Sequence, residues 1–356
     1  MAVGSELTLK KELAAGKLRN LYVLCGKEPY LRDFYLQKII SMAVSSGFEQ
    51  FNLKKLDGTA CEVSDIREAA EQMPLMGAYN RCVVKDFPLT SLRSAEAEEL
   101  GQYIRSVPES TVLIFVLRDD TFPPKAAKDE AADGEKDRKK KRKEMFAAFT
   151  ESAYIVSFER KSERELAALL VSGAKRRGCV LTPQHAGWMV NLCGNDLYTL
   201  LNELEKLCIA AGNGTIDEAL ITRTVVKTAE ATAFEIADNL LTGRVGQALA
   251  ALQILLDQKT PAQMILGSLI FPFVDMYRIK VAQRSGHNAR DLMKCFSYSS
   301  SFRLDKAQKN GRNLSMTTVR RCLAILNDAD RCLKSRSGSD RILLEETLVK
   351  LGAVLC

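Results

Sequence analysis

The sequence is short of histidine and has no long apolar run. Among its 356 residues no stretch reaches the roughly 18 apolar positions that a membrane-spanning helix needs. Residues 1–20 carry Glu6, Lys10, Lys11, Glu12, Lys17 and Arg19 without a secretory-type apolar core. The expected location is therefore the cytoplasm. Only His185 and His287 supply imidazole, and neither lies near a cysteine in sequence. The ten cysteines are dispersed, the nearest pair being Cys322 and Cys332, so no CxxC pair exists. That spacing speaks against zinc and dithiol chemistry. The thiols are expected to be reduced and to pack as small hydrophobes, with no metal and no cofactor bound.

What is present fits a soluble multidomain chain. Hydrophobic residues make up 46% and charged residues 27%, ordinary values for a globular protein. One core rarely serves more than about 250–300 residues, so two or three domains are expected. Residues 1–158 alternate short β-rich runs with amphipathic segments. The expected strands are Leu21-Tyr22-Val23-Leu24, Phe51-Asn52-Leu53, Cys82-Val83-Val84, Val112-Leu113-Ile114-Phe115-Val116 and Tyr154-Ile155-Val156. Helical spacing covers 30–44, a segment capped by Ser64 and running to about Met73, and 94–107. This alternation predicts a parallel sheet covered on both faces. Beyond Phe158 the pattern is helical. Ser162-Glu163-Arg164-Glu165 fits a capping box, Thr182-Pro183 a helix start, and Asn195 a further cap. Longer helices are expected over 261–283, 317–334 and 339–354.

An α/β sheet invites a search for nucleotide chemistry, and the motifs are missing. A phosphate-cradling loop needs GxxxxGK followed by Ser or Thr. Here Gly26-Lys27 follows the first strand at once, and Glu28 stands at the hydroxyl position, where it would repel phosphate. Asp86 follows the third strand as a magnesium-binding aspartate would, but Phe87 replaces the acid that would activate water. No GxGxxG follows a strand and no GxSxG elbow occurs.

Charge is concentrated. The formal net charge is +7, and the run Lys136 to Lys143, KDRKKKRK, contributes seven positive residues and one negative. It reads either as a phosphate-contacting patch or as a solvated loop. The stretch upstream, 123–135, is expected to be a mobile surface loop. Residues 301–356 hold 11 Lys/Arg against six Asp/Glu at helical spacing, which suits a solvated helix face. Tyr277 and Arg278 are candidates for contact with DNA or a neighbouring subunit, Trp188 for the core, and His185 for the surface.

Several stretches, in order along the chain, resemble one family. Leu21-Tyr22-Val23-Leu24-Cys25-Gly26-Lys27-Glu28-Pro29-Tyr30-Leu31 is similar to its "YLLxGxExYL" start. Met73-Pro74-Leu75-Met76-Gly77-Ala78-Tyr79-Asn80-Arg81-Cys82-Val83-Val84 is similar to "xLPLFxxxRxVVV". Asp137-Arg138-Lys139-Lys140-Lys141 is similar to "DKRKK". Gly194-Asn195-Asp196-Leu197, continuing to Leu207, is similar to "GxDLxxLxNELEKL", and Ala329-Asp330-Arg331-Cys332-Leu333-Lys334 to "ADxxLK". The family is the delta subunit of the bacterial DNA polymerase III clamp loader. The resemblance implies an AAA+-like α/β domain with a degenerate nucleotide site (1–159), an all-α lid (160–228) and an all-α collar used for oligomerisation (229–356).

It also implies a non-catalytic role in DNA replication, within the polymerase holoenzyme: opening the ring-shaped sliding clamp (beta) by inserting two apolar side chains. The matching positions are Leu75 and Met76, and Gln72-Met73-Pro74-Leu75-Met76 fits a QxxL-apolar clamp-binding pattern with Met in the usual place of Phe. Pro74 and Gly77 bracket a short turn that can present side chains outward. Burying a leucine or methionine gains roughly 1.5–3 kcal/mol. Implied partners are the clamp, the tau/gamma and delta prime subunits, and primer-template DNA, for which Lys139, Lys140, Lys141, Arg142 and Lys143 are the candidate contacts. Two rivals stay open. An ATPase of the helicase-loader type would bind nucleotide with magnesium. A DNA-binding adaptor would ignore the clamp and lose affinity steeply with salt.

Overall fold

Short apolar runs separated by amphipathic segments build a parallel sheet in the first part of the chain. The computed structural model describes residues 4–42, 51–75, 77–118, 121–123, 135–296, 298, 302–335 and 338–355. It divides the chain into two compact units, Met1–Arg160 and Lys161–Cys356. The first runs α1 (Glu6–Ala14), β1 (Leu21–Cys25), α2 (Pro29–Met42), β2 (Leu53–Asp57), α3 (Val63–Glu71), β3 (Asn80–Lys85), α4 (Ser94–Ile104), β4 (Thr111–Val116), α5 (Glu135–Ser152) and β5 (Tyr154–Ser157). The strands form one sheet in the order β2-β3-β4-β1-β5, and every pairing is parallel. β1 and β4 are buried along their whole length, as strands covered on both faces must be. Val23, Leu113 and Phe115 pack with Ile66 of α3, Leu100 of α4 and Phe149 of α5. Tyr22 and Leu24 are buried too, and strand geometry turns them to the opposite face.

Local departures from the expected boundaries have simple causes. β2 begins at Leu53, where the expected strand ended, and continues through Lys54 and Lys55. It is an edge strand, and edges tolerate charge. α3 starts at Val63 rather than after Ser64, because Asp65 Oδ2 accepts the Glu62 backbone N–H at 2.8 Å. The basic run, weighed above as a loop, lies on α5. Residues 124–134, most of the expected mobile loop, lie outside the described residues.

The second unit is mostly helical. It runs α6 (Glu163–Arg176), β6 (Val180–Leu181), α7 (Pro183–Cys193), α8 (Leu197–Ala211), β7 (Thr215–Ile216), α9 (Glu218–Thr224), α10 (Ala229–Leu241), α11 (Val245–Asp257), α12 (Ala262–Arg284), α13 (Ala289–Phe296), α14 (Phe302–Gly311), α15 (Met316–Ser335) and α16 (Asp340–Leu355). The expected lid region is not purely helical: β6 and β7 pair in parallel over two residues each, too short for a periodicity to register. The capping box forms, with Glu165 accepting the Ser162 N–H at 2.8 Å. Thr182 caps α7 with Pro183 in its first turn. Asp196, not Asn195, caps α8, its Oδ1 accepting the Thr199 N–H at 2.8 Å. Trp188 is half-buried rather than in the core. Among the described residues no helix is long and apolar enough to cross a membrane.

A charged cluster ties α10, α12 and α14 together. Asp275 of α12 is fully buried. Arg303 of α14 donates to its Oδ2 from Nε at 3.2 Å and from Nη2 at 3.0 Å. Tyr298 donates its hydroxyl to Oδ1 and accepts from Arg278 at 2.8 Å. Arg303 also reaches Glu230 of α10 at 3.1 Å. Arg278 is thus held inside the unit. A buried carboxylate with this many donors is stable only as a set, and removing it takes a partner from the Tyr298 hydroxyl and leaves Arg303 with the Glu230 carboxylate. Asp275→Ala is expected to destabilise the protein by about 3–5 kcal/mol, read as a lower urea midpoint.

Candidate functional site

The segment after α3 carries exposed apolar side chains on a fixed backbone. The helix cannot continue through Pro74, which has no N–H for the Ala70 carbonyl, and its last carbonyls are capped by side chains from the sheet. Asn80 Nδ2 donates to Ala69 O at 2.8 Å, and Thr111 Oγ1 donates to Ala70 O at 2.6 Å. Gln72 turns to extended geometry and is exposed. Met73 is 92% exposed and Leu75 53% exposed. Pro74, between them, removes one backbone donor and narrows the chain's freedom. Leu75 is not loose. Its N–H donates to Asn52 Oδ1 at 2.7 Å, and its carbonyl accepts from Asn52 Nδ2 at 2.8 Å. The Asn52 side chain thereby supplies the donor–acceptor pair that a neighbouring strand would offer.

Asn52 is itself fixed. It is only 6% exposed, and its carbonyl accepts the Arg81 N–H at 2.8 Å. Gly77 passes close by: a Cβ there would stand 3.0 Å from Asn52 Nδ2. The structure therefore brings Gln72 and Leu75 onto one short exposed segment, while Met76 lies outside the described residues. Asn52 was missed by sequence reasoning, which placed it inside a strand. The usable signal was a buried-type position holding an amide just ahead of a charged edge strand.

The turn after β1 shows what fills the place of a nucleotide loop. Gly26 has φ +107°, and a Cβ on it would meet the Phe158 backbone at 2.3 Å. Phe158 N–H donates to Cys25 O at 2.9 Å, and the Glu28 N–H donates to Phe158 O at 2.9 Å. Pro29, the first residue of α2, has no N–H to offer. Of the backbone donors that could cradle phosphate, that of Glu28 is thus occupied and that of residue 29 absent, and Glu28 is buried there. Asp86 is held by Arg118, whose Nε donates at 2.8 Å, and Phe87 is buried against Phe115.

The basic stretch is divided by helix geometry. One side of α5 turns toward the loop before α4. Arg138 donates to Leu92 O at 3.0 Å and Ser91 O at 2.6 Å, and Arg142 donates to Thr90 O. Lys141 pairs with Glu98 at 2.9 Å, and that hydrogen bond holds its ammonium above the usual lysine range. Lys139, Lys140 and Lys143 are exposed. Three of the five candidate contacts, Lys139, Lys141 and Arg142, therefore already have interactions within the chain.

The buried thiols have the character of packing groups, while Cys295 is exposed. Burial pushes those of Cys82 and Cys193 up to about 12 and that of Cys322 up to about 11. Such thiols carry almost no thiolate at neutral pH, and the thiolate is the reactive and metal-binding form. Among the described residues no three His, Cys, Asp or Glu side chains gather as a metal site would require.

Comparison with known proteins gives a consistent picture. Residues 22–125 match the family model "DNA polymerase III, delta subunit", and residues 230–351 match "DNA polymerase III delta subunit, C-terminal domain". The DNA polymerase III subunit delta of Bacillus subtilis (strain 168) is 23% identical over 350 residues, covering 96% of this chain and 95% of that protein. The solved structure of the Bacillus subtilis DNA clamp loader delta protein (YqeN) superposes with a TM-score of 0.61 at 22% identity, covering 98% of this chain and 99% of that one. The fold is shared along the whole length.

The clasp generates a local prediction. Asn52→Ala removes both bonds to Leu75, with a loss of about 1–3 kcal/mol of local stability. The Leu75 amide should then exchange with deuterium at least tenfold faster, measured by NMR or mass spectrometry, while amides of β1 and β4 keep their protection. Unchanged exchange at Leu75 would contradict the clasp.

Proposed function

This chain belongs to the family of DNA polymerase III delta subunits, and we propose that it binds and opens the sliding clamp for loading on primed DNA. The observation that carries this reading is the outward Leu75 side chain on a backbone clasped by Asn52. Leu75 and Met76 enter an apolar pocket on the clamp, and Gln72 adds a polar contact beside them. A preset backbone loses little conformational freedom on docking, so more of the apolar gain remains as affinity. Opening follows if the pair binds an open or sprung clamp more tightly than a closed one, because only differential affinity shifts a conformational equilibrium.

The rest of the chain takes supporting roles. Residues 1–159 carry the clamp contact, 160–228 act as a lid, and 229–356 form the collar that assembles with the tau/gamma and delta prime subunits. Primer-template DNA meets Lys139, Lys140 and Lys143. Lys141 and Arg142 would first have to leave Glu98 and Thr90. The subunit works in the cytoplasm as a non-catalytic part of the polymerase holoenzyme. That reading is supported by the Phe158 backbone closing on Gly26, the missing donor at Pro29 and the Asp86–Arg118 pair. ATP bound by neighbouring subunits governs when the clamp-binding segment is accessible.

Two measurements test this. Leu75→Ala combined with Met76→Ala should weaken binding to the clamp of the same organism by roughly a hundredfold or more, with the circular dichroism spectrum unchanged. Equal binding by wild type and variant would remove the assignment. Millimolar ATP with magnesium should leave the melting temperature of the isolated chain unchanged. A ligand present at about 100 times its Kd would add about 2.7 kcal/mol, so a clear upward shift would favour the ATPase rival.

A further inference from the structure

A second cationic surface lies in the C-terminal helices. Two adjoining cavities of about 460 and 550 Å³ run between the last turns of α12 and α14, and they share Ile279, Gln283, Asp305 and Gln308. A third, of about 370 Å³, continues past Lys280 and Gln283 to the start of α15. Together they make a groove rather than a closed pocket. Gly311 allows the close packing of its walls, since Met276 Cγ lies 3.2 Å from where a Cβ would stand.

The groove is edged by Lys280, Arg284, Lys309 and Arg312. Lys280 and Arg284 are four apart on α12, so they share one face. Lys309 and Arg312 are three apart at the end of α14. Six other cations of these helices, Arg278, Arg303, Lys306, Lys334, Arg341 and Lys350, each sit within 4.0 Å of a carboxylate, while Arg320 turns to the Tyr277 ring and hydroxyl. Among the described residues, no ion pair joins the four groove cations to a carboxylate. Asp305 is the acidic residue lining the groove, so the lining is net positive. The α15 N-terminus adds partial positive charge, with Ser315 capping it by accepting the Thr318 N–H at 2.9 Å.

We propose that this groove binds the phosphate backbone of a single-stranded nucleic acid. An isolated phosphate would be held by converging donors. Here the cations are strung along an elongated channel with Gln283 and Gln308 between them, which suits a chain of regularly spaced charges and gives no base selectivity. The proposal does not depend on the clamp-binding reading, and it places this contact apart from the Lys139–Lys143 patch of α5.

The test uses the full chain and a fluorescent oligothymidylate of about 30 nucleotides, with affinity followed by anisotropy over about 50–200 mM salt. Changing Lys280, Arg284, Lys309 and Arg312 together to alanine should weaken binding at least tenfold at the lowest salt. The slope of log K against log salt should fall by about three, because each phosphate contact on a single strand contributes about 0.7. Arg284, Lys309 and Arg312 are exposed, so the fold should survive. Lys309→Gln with Arg312→Gln provides a milder pair, with about half the change in slope. A slope equal to wild type in both variants overturns the proposal. So does wild-type protein that binds polyglutamate but not oligothymidylate, which would assign the groove to an acidic peptide.

Discussion

Two hydrogen bonds from the Asn52 amide hold the backbone of Leu75 in place, and the reading of the N-terminal unit rests on them. Without them the segment after α3 would be an exposed loop with apolar side chains, a costly and poorly defined thing to display in water. With them, the residue is fixed as if by an adjacent strand while its side chain faces outward. The surroundings serve the same end. Asn80 and Thr111 cap the terminal carbonyls of α3, and Asn52 is anchored to β3 through the Arg81 N–H. All these groups stand at the ends of sheet strands, so the rigidity of the sheet reaches the exposed segment. Function is often placed in this way, on a short loop positioned by a stiff scaffold.

The same sheet carries a second fixed turn, after β1. In a phosphate-binding strand–loop–helix the backbone N–H groups at the helix start are kept available. Here the Phe158 backbone occupies that place, joining Cys25 on one side and Glu28 on the other. The sheet–helix architecture remains while the Glu28 donor is used internally. These bonds tie the turn after β1 to the residue that follows β5, which stiffens the scaffold from which Leu75 projects.

Much of this was legible in the sequence, and the failures have identifiable origins. Strand–helix alternation gave the parallel sheet because β1 and β4 are central and almost wholly apolar, and β3 between them and the edge carries the run Cys82-Val83-Val84. β2 was misplaced because an edge strand carries Lys54 and Lys55 and so loses the apolar signature. The β6–β7 pair was invisible because two residues establish no period. The basic run read as a phosphate-contacting patch or a solvated loop, because its charges hide the helical packing of Met145, Ala148 and Phe149 further along α5. For the site, the residues that project were legible through resemblance to a known pattern. The residue that holds them was not, because Asn52 acts across 23 positions of sequence and no local pattern encodes such a contact. The Asp275 cluster was hidden for the same reason.

The most direct test of the account is a double-mutant cycle on clamp affinity, combining Asn52→Ala with Leu75→Ala. If Asn52 acts by presenting Leu75, its replacement should weaken binding about tenfold when Leu75 is present and hardly at all when Leu75 is already alanine. That corresponds to a coupling of about 1.4 kcal/mol, within the range for residues in contact. Strictly additive effects, or full affinity in Asn52→Ala, would contradict the claim that a clasped Leu75 is what engages the clamp.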